Sequence, residues 1–355
     1  LVLGGTGTIS RHLVQELVEN GHDVTVLNHN HRSILPAEVE LVVCDRKDVS
    51  SFIETCHGLG IFDCVFDMIT YTSEQAQSSI QAFDGHAKRV VFCSTVDVYD
   101  KSGLHYPVTE ETPLRPRRSF DYAFQKRQCE ILYEQAHREG RFETVILRPA
   151  HTYSEVSPRS HLVFHAFGND RGPCYHLDRL RKGRPIILQG DGLSLWNSTH
   201  GIDVAHCFVH AMTCSRAVGK AYTIAGDETM TYRSFWLEIA RQMGAPDVEF
   251  VYIPTDLLYR LEPEKAYLCR ENYCFNNLFD TTAAKQDLDL HQTVSWQEGV
   301  RRVLAVYQQS GFENCDKPEY AFYDKLIARY KDLCHQMVLA SVSYTHLRAH
   351  ETLRH

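Results

Sequence analysis

Tyr122 and Lys126 stand four residues apart, and the pattern of Tyr122, Cys129, Leu132 and Tyr133 predicts a helix from Phe120 to Ala136, which would set both on one face. A phenol with a pKa near 10 is a poor base at neutral pH. A lysine beside it lowers that pKa, so the pair suits proton transfer to or from a carbinol oxygen next to a nicotinamide. A hydroxyl must then orient the reacting oxygen. The run Cys93-Ser94-Thr95-Val96-Asp97, at the end of an apolar stretch, offers Thr95 first and Ser94 second.

A second group of residues could hold such a ring. Gly4-Gly5-Thr6-Gly7-Thr8-Ile9-Ser10 lies between an apolar run and a helical pattern. Glycine there lets a ligand approach the backbone, and the helix start offers unpaired N–H groups to a pyrophosphate. Asn28 closes the next apolar run, where an acidic residue would normally hold the adenosine ribose of NAD. Asn does not repel a 2′-phosphate, and His29, His31 and Arg32 follow it, so NADP is expected slightly ahead of NAD; a solvated loop without preference is the competing reading. Asp45 is placed to accept from the adenine amino group and Arg46 to cover the ring, with a solvated pair as the equal alternative.

These residues need a scaffold of a particular kind. Short apolar runs (Leu1 to Leu3, Val24 to Leu27, Leu41 to Cys44, Cys64 to Phe66, Arg89 to Cys93, Thr144 to Leu147) alternate with helical patterns, which predicts an α/β chain with a parallel sheet and right-handed crossovers. After Arg148-Pro149 the texture changes. A polar stretch is followed by a short strand at Ile186 to Leu188 and helices near 203–213, 231–243 and 295–309. The expected division is a Rossmann-type, doubly wound dinucleotide-binding domain over 1–153 and a smaller α/β substrate-binding region over 154–337, interleaved with the first. Residues 338–355 resemble translated adapter sequence and are set aside as a non-native tail, and the start, with three residues before Gly4, is expected to be truncated.

Composition narrows the partners. With 37 Lys+Arg against 45 Asp+Glu, a net charge of −8 and no long basic run, nucleic acid is not an expected ligand. No stretch approaches the length of a membrane span and no secretory signal is present, so a cytoplasmic protein without membrane contact is expected. The 12 cysteines are scattered without a CxxC pair and read as buried thiols. His206 and His210 share a helix face, but without an HExxH glutamate they read as helix surface, and no metal is expected.

Taken in order, the glycine loop (GxxGxxS), Thr95, Tyr122-Ala123-Phe124-Gln125-Lys126, Leu147-Arg148-Pro149, Gly190-Asp191-Gly192, Ala221 to Gly226 and Ser295 to Gly299 resemble the extended short-chain dehydrogenase/reductase family, the NAD-dependent epimerase/dehydratase group, over about residues 1–310. The resemblance implies Thr95 as orienting residue, Tyr122 as acid/base, and Lys126 holding the nicotinamide ribose. It implies NAD(P) contacts at Gly4, Gly7, Thr8, Ile9, Met68, Ile69 and Pro149 as well, a sugar-like substrate and a homodimer. Three positions depart from the pattern: His151 replaces an asparagine, Trp196 stands where an arginine often grips a diphosphate, and only Asp97 follows Thr95 where dehydratases carry an Asp-Glu pair. Ser94, Asp97, His151 and Trp196 are the expected substrate neighbours. An epimerase or a simple ketone/alcohol oxidoreductase is therefore expected ahead of a 4,6-dehydratase; a non-catalytic or RNA-associated relative is the alternative.

Overall fold

The computed structural model describes residues 1–30, 35–102, 105–156, 167–168, 174–245, 247–310 and 320–352. Its first half alternates strand and helix: β1 (Val2–Leu3), α1 (Ser10–Glu19), β2 (Thr25–Asn28), β3 (Glu40–Val43), α2 (Val49–Gly58), β4 (Phe62–Asp67), α3 (Ser73–Phe83), β5 (Ala87–Cys93), α4 (Asp121–Arg138) and β6 (Glu143–Pro149). Local sequence sets the limits of several of these. Helix α1 buries Leu13, Val14 and Leu17 on one face, and Gly21, at φ +78, ends it by donating back to the Val18 carbonyl. Helix α3 starts on a capping box in which Thr72 Oγ1 accepts from the Gln75 N–H and the Gln75 side chain reaches back.

Beyond β6 the chain adds β7 (His151–Tyr153), α5 (Cys174–Arg181), β8 (Ile186–Gln189), β9 (Leu195–His200), α6 (Gly201–Thr213), β10 (Ala221–Ile224), β11 (Thr229–Thr231), α7 (Tyr232–Gln242), β12 (Phe250–Ile253), α8 (Thr255–Leu261), α9 (Thr282–Leu288), α10 (Trp296–Ser310) and α11 (Ala321–Thr352). The last helix thus continues through most of the segment set aside as a tail.

Seven strands form the central sheet in the order β10-β6-β5-β4-β1-β2-β3, all parallel. The chain winds outward from β1 to β3, then returns to place β4 on the other side of β1. A crevice opens at that reversal, beyond the C-terminal ends of the strands, and ligands of such sheets bind there. The seventh strand is a correction to a six-strand reading of residues 1–153: β10 comes from the second half of the chain and pairs with β6 from Ala221↔Ile146 to Ile224↔Pro149.

Two apolar clusters fill the faces of this sheet, one around Leu13, Phe66, Val91 and Phe208, the other around Phe52, Phe83, Phe92 and Tyr133. A third, rich in aromatics, gathers Tyr153, Trp196, Tyr232, Phe235, Trp236, Trp296 and Tyr323 in the C-terminal region. There β11-β9-β7 and the parallel pair β12-β8 make two small sheets. Among the described residues no helix is long and apolar enough to cross a membrane.

Candidate active site

The ends of β1 and β4 meet at the reversal. Gly4 takes φ +83, its N–H bonds the Leu27 carbonyl, and a Cβ on it would stand 2.2 Å from Ile69 Cγ2. A Cβ on Gly5 would stand 2.7 Å from Val26 Cγ1. The backbone therefore lies flush against its neighbours, leaving the outer face to a ligand. Ser10, in the third position of the GxxGxxS spacing, is buried and closes the loop on itself: its hydroxyl donates to the Gly4 carbonyl at 2.5 Å and accepts from the Gly7 N–H at 2.9 Å. Helix α1 begins here at Ser10, with Ile9 as its N-cap and Thr8 just before it, so the unpaired N–H groups of a helix start lie at this loop. A Cβ on Gly201, the first residue of α6, would come within 2.5 Å of the Thr8 carbonyl, so α6 braces the loop from behind.

Asn28 is buried at the end of β2. Its Oδ1 accepts from the Gly5 N–H at 3.1 Å, while its Nδ2 has no partner. An orphaned buried donor at this point suits a ribose hydroxyl, and together with the flush glycines it shows that the crevice fits the adenosine half of a dinucleotide. His29 is exposed and bonded to Asn30; Arg32 and His31 lie outside the described residues.

At the expected adenine end, Arg46 departs from both readings, while Asp45 stays on the surface. Asp45 is exposed and caps the Lys47 N–H. Arg46 turns inward rather than over a ring: its guanidinium donates to Thr70 Oγ1 (2.9 Å), the Gln75 carbonyl (2.9 Å) and Ser79 Oγ (3.0 Å), 3.7 Å from Asp67. The buried Asp67 carboxylate that draws it in also accepts from Tyr133, Thr70 and Ser79. Burial acts to raise that carboxyl, but Arg46 and the three hydroxyls outweigh it and hold it below its ordinary pKa. This network anchors the segment Met68-Ile69-Thr70 that floors the crevice, with Met68 and Thr70 buried.

Thr95 ends the loop after β5. It is buried, and its Oγ1 accepts from the Asp97 N–H at 3.2 Å. Tyr122, in the first turn of α4, lies between Tyr71 (6.5 Å between ring centroids) and Phe120 (6.1 Å). Although 40 % of Tyr122 is exposed, its phenol is pushed up: loss of solvent around the hydroxyl is the largest cause, followed by Asp97, Tyr71 and Cys93, while a hydrogen bond with Thr95 opposes them. Thr95 is thus one of the groups that bear on the Tyr122 phenol.

Lys126 is 1 % exposed, and its Nζ donates to the carbonyls of Thr70 (2.8 Å) and Cys93 (2.7 Å), 4.6 Å from the Tyr71 ring centre. Burial lowers its pKa. It bridges the ends of β4 and β5, while the larger influences on the Tyr122 phenol are lost solvent, Asp97, Tyr71 and Cys93. Two fixed carbonyls hold the ammonium at the strand ends. Two of its three N–H groups are used there, leaving one for a further acceptor.

The remaining candidates divide. Asp97 is paired with the buried Lys101 at 2.7 Å, and Lys101 also donates to Asn272 and Asn277. Ser94 turns its hydroxyl away from the crevice onto Glu130 at 2.6 Å. Glu130, fully buried on α4, also receives the forked guanidinium of Arg148 at 2.8 and 3.0 Å, and Arg148 donates to Tyr99. Pro149 ends β6, and His151 Nδ1 lies 2.8 Å from Ser198 Oγ. Trp196 is buried and stacked on Tyr273 at 4.2 Å, within the aromatic cluster.

The reversal crevice, the glycine loop at its mouth and the Thr95–Tyr122 pair define a dinucleotide-binding α/β protein, and residues 1–225 match the model of the NAD dependent epimerase/dehydratase family, to which the chain belongs. Among curated proteins, the chloroplast stem-loop binding protein of 41 kDa b from Arabidopsis thaliana is 24 % identical over 290 residues, 78 % of this chain and 71 % of that one. Two solved structures share the fold. The UDP-glucose 4-epimerase of Thermotoga maritima with UDP-glucose superposes with a TM-score of 0.69 at 19 % identity, over 87 % of this chain and 98 % of the other. A UDP-glucuronic acid 4-epimerase from Bacillus cereus, in complex with NAD, gives 0.65 at 17 % identity, again over 87 % and 98 %.

Proposed function

We propose that the chain is an NAD(P)-dependent epimerase or oxidoreductase acting on a hydroxyl or ketone of a sugar or nucleotide sugar, with Tyr122, Thr95 and Lys126 as its working residues. The observation that supports this reading is a buried Lys126 pinned at the strand ends on the same helix as Tyr122, whose phenol feels Thr95. When bound, the nicotinamide accepts or returns a hydride. Thr95 holds the substrate oxygen, and Tyr122 Oη moves the proton. A phenol raised by lost solvent and by Asp97 stays protonated at neutral pH, which suits the proton-donating direction, where the oxygen gains negative charge. The remaining N–H of Lys126 would hold a ribose hydroxyl of the cofactor. Neutral Asn28 tolerates a 2′-phosphate, which supports NADP slightly over NAD.

Asp97 is tied to Lys101 and has no second carboxylate next to it in sequence, so it is a poor donor for elimination, which supports epimerase or reductase over dehydratase. The name of the stem-loop binding relative suggests a non-enzymatic role; the net charge of −8 and the assembled trio support the enzyme. Tyr122→Phe tests the assignment. With UDP-glucose and UDP-glucuronic acid as probes and nicotinamide absorbance as readout, hydride transfer should fall by on the order of 10²-fold or more, while fluorescence titration finds NADPH and NADH bound as in the wild type. Unchanged transfer would remove Tyr122 from the chemistry.

A further inference from the structure

The contact between α1 and α6 carries side chains that the chemistry above does not use. His206 and His210 lie one turn apart on α6, with ring centroids 4.4 Å from each other. Asp289, just past the end of α9, brings its Oδ2 to 3.5 Å from His206 Nε2. One nitrogen of each histidine and one oxygen of Asp289 lie within 4.8 Å of one another.

Two further observations make this more than proximity. His206 Nδ1 is 2.7 Å from Glu16 Oε1 on α1. A carboxylate in that place receives the Nδ1 proton of a neutral imidazole and leaves the Nε2 lone pair facing Asp289, which is how metal-bound histidines are oriented from outside. Asp289 itself holds φ +52, the one non-glycine residue with positive φ among the described residues, and this left-handed turn sets its carboxylate beside the histidines. The other histidine–carboxylate group differs. There His200 Nε2 is hydrogen-bonded to Glu155 at 2.7 Å, its Nδ1 accepts from the Ile202 N–H, and His12 Nε2 is 2.7 Å from Ser154 Oγ, so the inward nitrogens are already used.

We propose that His206, His210 and Asp289 form a site for a divalent transition-metal ion of the zinc type, with the fourth position left to water. A tetrahedral ion with arms of about 2.1 Å sets its ligands about 3.4 Å apart, which is the His206–Asp289 spacing already. Rotation of the His210 ring about its soft χ2 closes the remaining gap. Two imidazoles and one carboxylate favour zinc, nickel or copper over magnesium or calcium. Occupied, the site ties α1, which follows the glycine loop, to α6 and to the 289–294 segment, where Thr293 and Gln292 anchor to Asp203 and Glu228.

The test uses the full chain, stripped with EDTA and returned to chelator-free buffer, then titrated with ZnCl2 by calorimetry and with CoCl2 by visible absorption. The wild type is expected to bind one zinc equivalent more than the His206→Gln/His210→Gln double variant, and the intense band of four-coordinate cobalt is expected to disappear in that variant. Asp289→Asn should weaken the same equivalent, and Glu16→Gln should keep it while weakening it by about 10- to 100-fold. His12→Gln is the matched control and should change nothing. Zinc taken by the exposed thiols of Cys274 and Cys334, or by His346, His350 and His355, is common to all variants and cancels in the difference. An equal zinc count in the wild type and the double variant, or a Glu16→Gln protein as tight as the wild type, overturns the proposal.

Discussion

Replacing Glu130 with Gln should cost the protein about 3 kcal/mol, a figure that follows from what the carboxylate holds. Glu130 is fully buried and accepts from Ser94 Oγ, Arg148 Nε, Arg148 Nη2 and Arg127 Nη1. Gln keeps the shape but removes the charge and presents an NH2 group to two of these four donors, leaving Arg148, itself 3 % exposed, without its counter-charge. Breaking a buried ion pair by removing one partner costs roughly 3–5 kcal/mol. The lower end applies because Arg148 retains Tyr99, and Arg127 retains Glu134 at 2.7 Å. Urea unfolding followed by far-ultraviolet circular dichroism reads the change as a shifted midpoint at constant slope. The pair argument makes a second demand: Glu130→Gln combined with Arg148→Met, which removes the stranded cation, should be more stable than Glu130→Gln alone. A single variant that loses less than about 1 kcal/mol, or a double variant less stable than the single, would refute the view that an uncompensated Arg148 is the source of the cost.

Two other outcomes follow from the geometry. In Asn28→Asp, a carboxylate can keep the Gly5 N–H but meets a 2′-phosphate with like charge, so fluorescence titration should show NADPH weakened relative to NADH by about 10-fold or more; equal change in both would remove position 28 from cofactor choice. His12 is held at about 4, chiefly by burial and then by His200. A histidine with a depressed folded pKa takes its proton more readily when unfolded, so stability is full above pH 6.5 and is lost as pH falls toward 4, by about 1–2 kcal/mol after allowance for partial exposure. Glu155, held at about 2, acts only below its ordinary range, so the window above pH 4.5 is free of it, and His210, also lowered by burial, is common to both proteins. Denaturant midpoints for wild type and His12→Asn across that window should diverge on acidification; parallel curves would contradict the assignment.

Much of the sheet was legible because each buried parallel strand is a short apolar run and each crossover carries a helical period. Phe62–Asp67 and Ala87–Cys93 contain the runs read from sequence, and Thr25–Asn28 overlaps the run Val24 to Leu27 with a shift of one residue. Membership of β10 in the central sheet was not legible. Ala221–Ile224 is 72 residues beyond the end of β6 at Pro149, and only backbone pairing decides which sheet receives it. Thr95 and Tyr122 could be singled out as candidates from residue type and spacing, since the proposed chemistry needs a hydroxyl and a phenol.

What escaped the sequence is the way charges are held beneath them. Lys126 was read as the neighbour of Tyr122 because helical spacing puts them on one face, yet its ammonium answers to two backbone carbonyls, which no residue type announces. Arg46 follows a strand and reads as a loop residue until the buried Asp67, 21 positions on, draws it inward. One signal was present. Along α4 the buried stripe runs Lys126, Cys129, Glu130, Tyr133 and Ala136, and an acidic residue on an apolar face at helical spacing demands a cation. That cation is Arg148, in the Arg-Pro step at the end of β6, so the stretch noted for its resemblance meets a physical need: it neutralises the carboxylate that orients Ser94, the residue before Thr95.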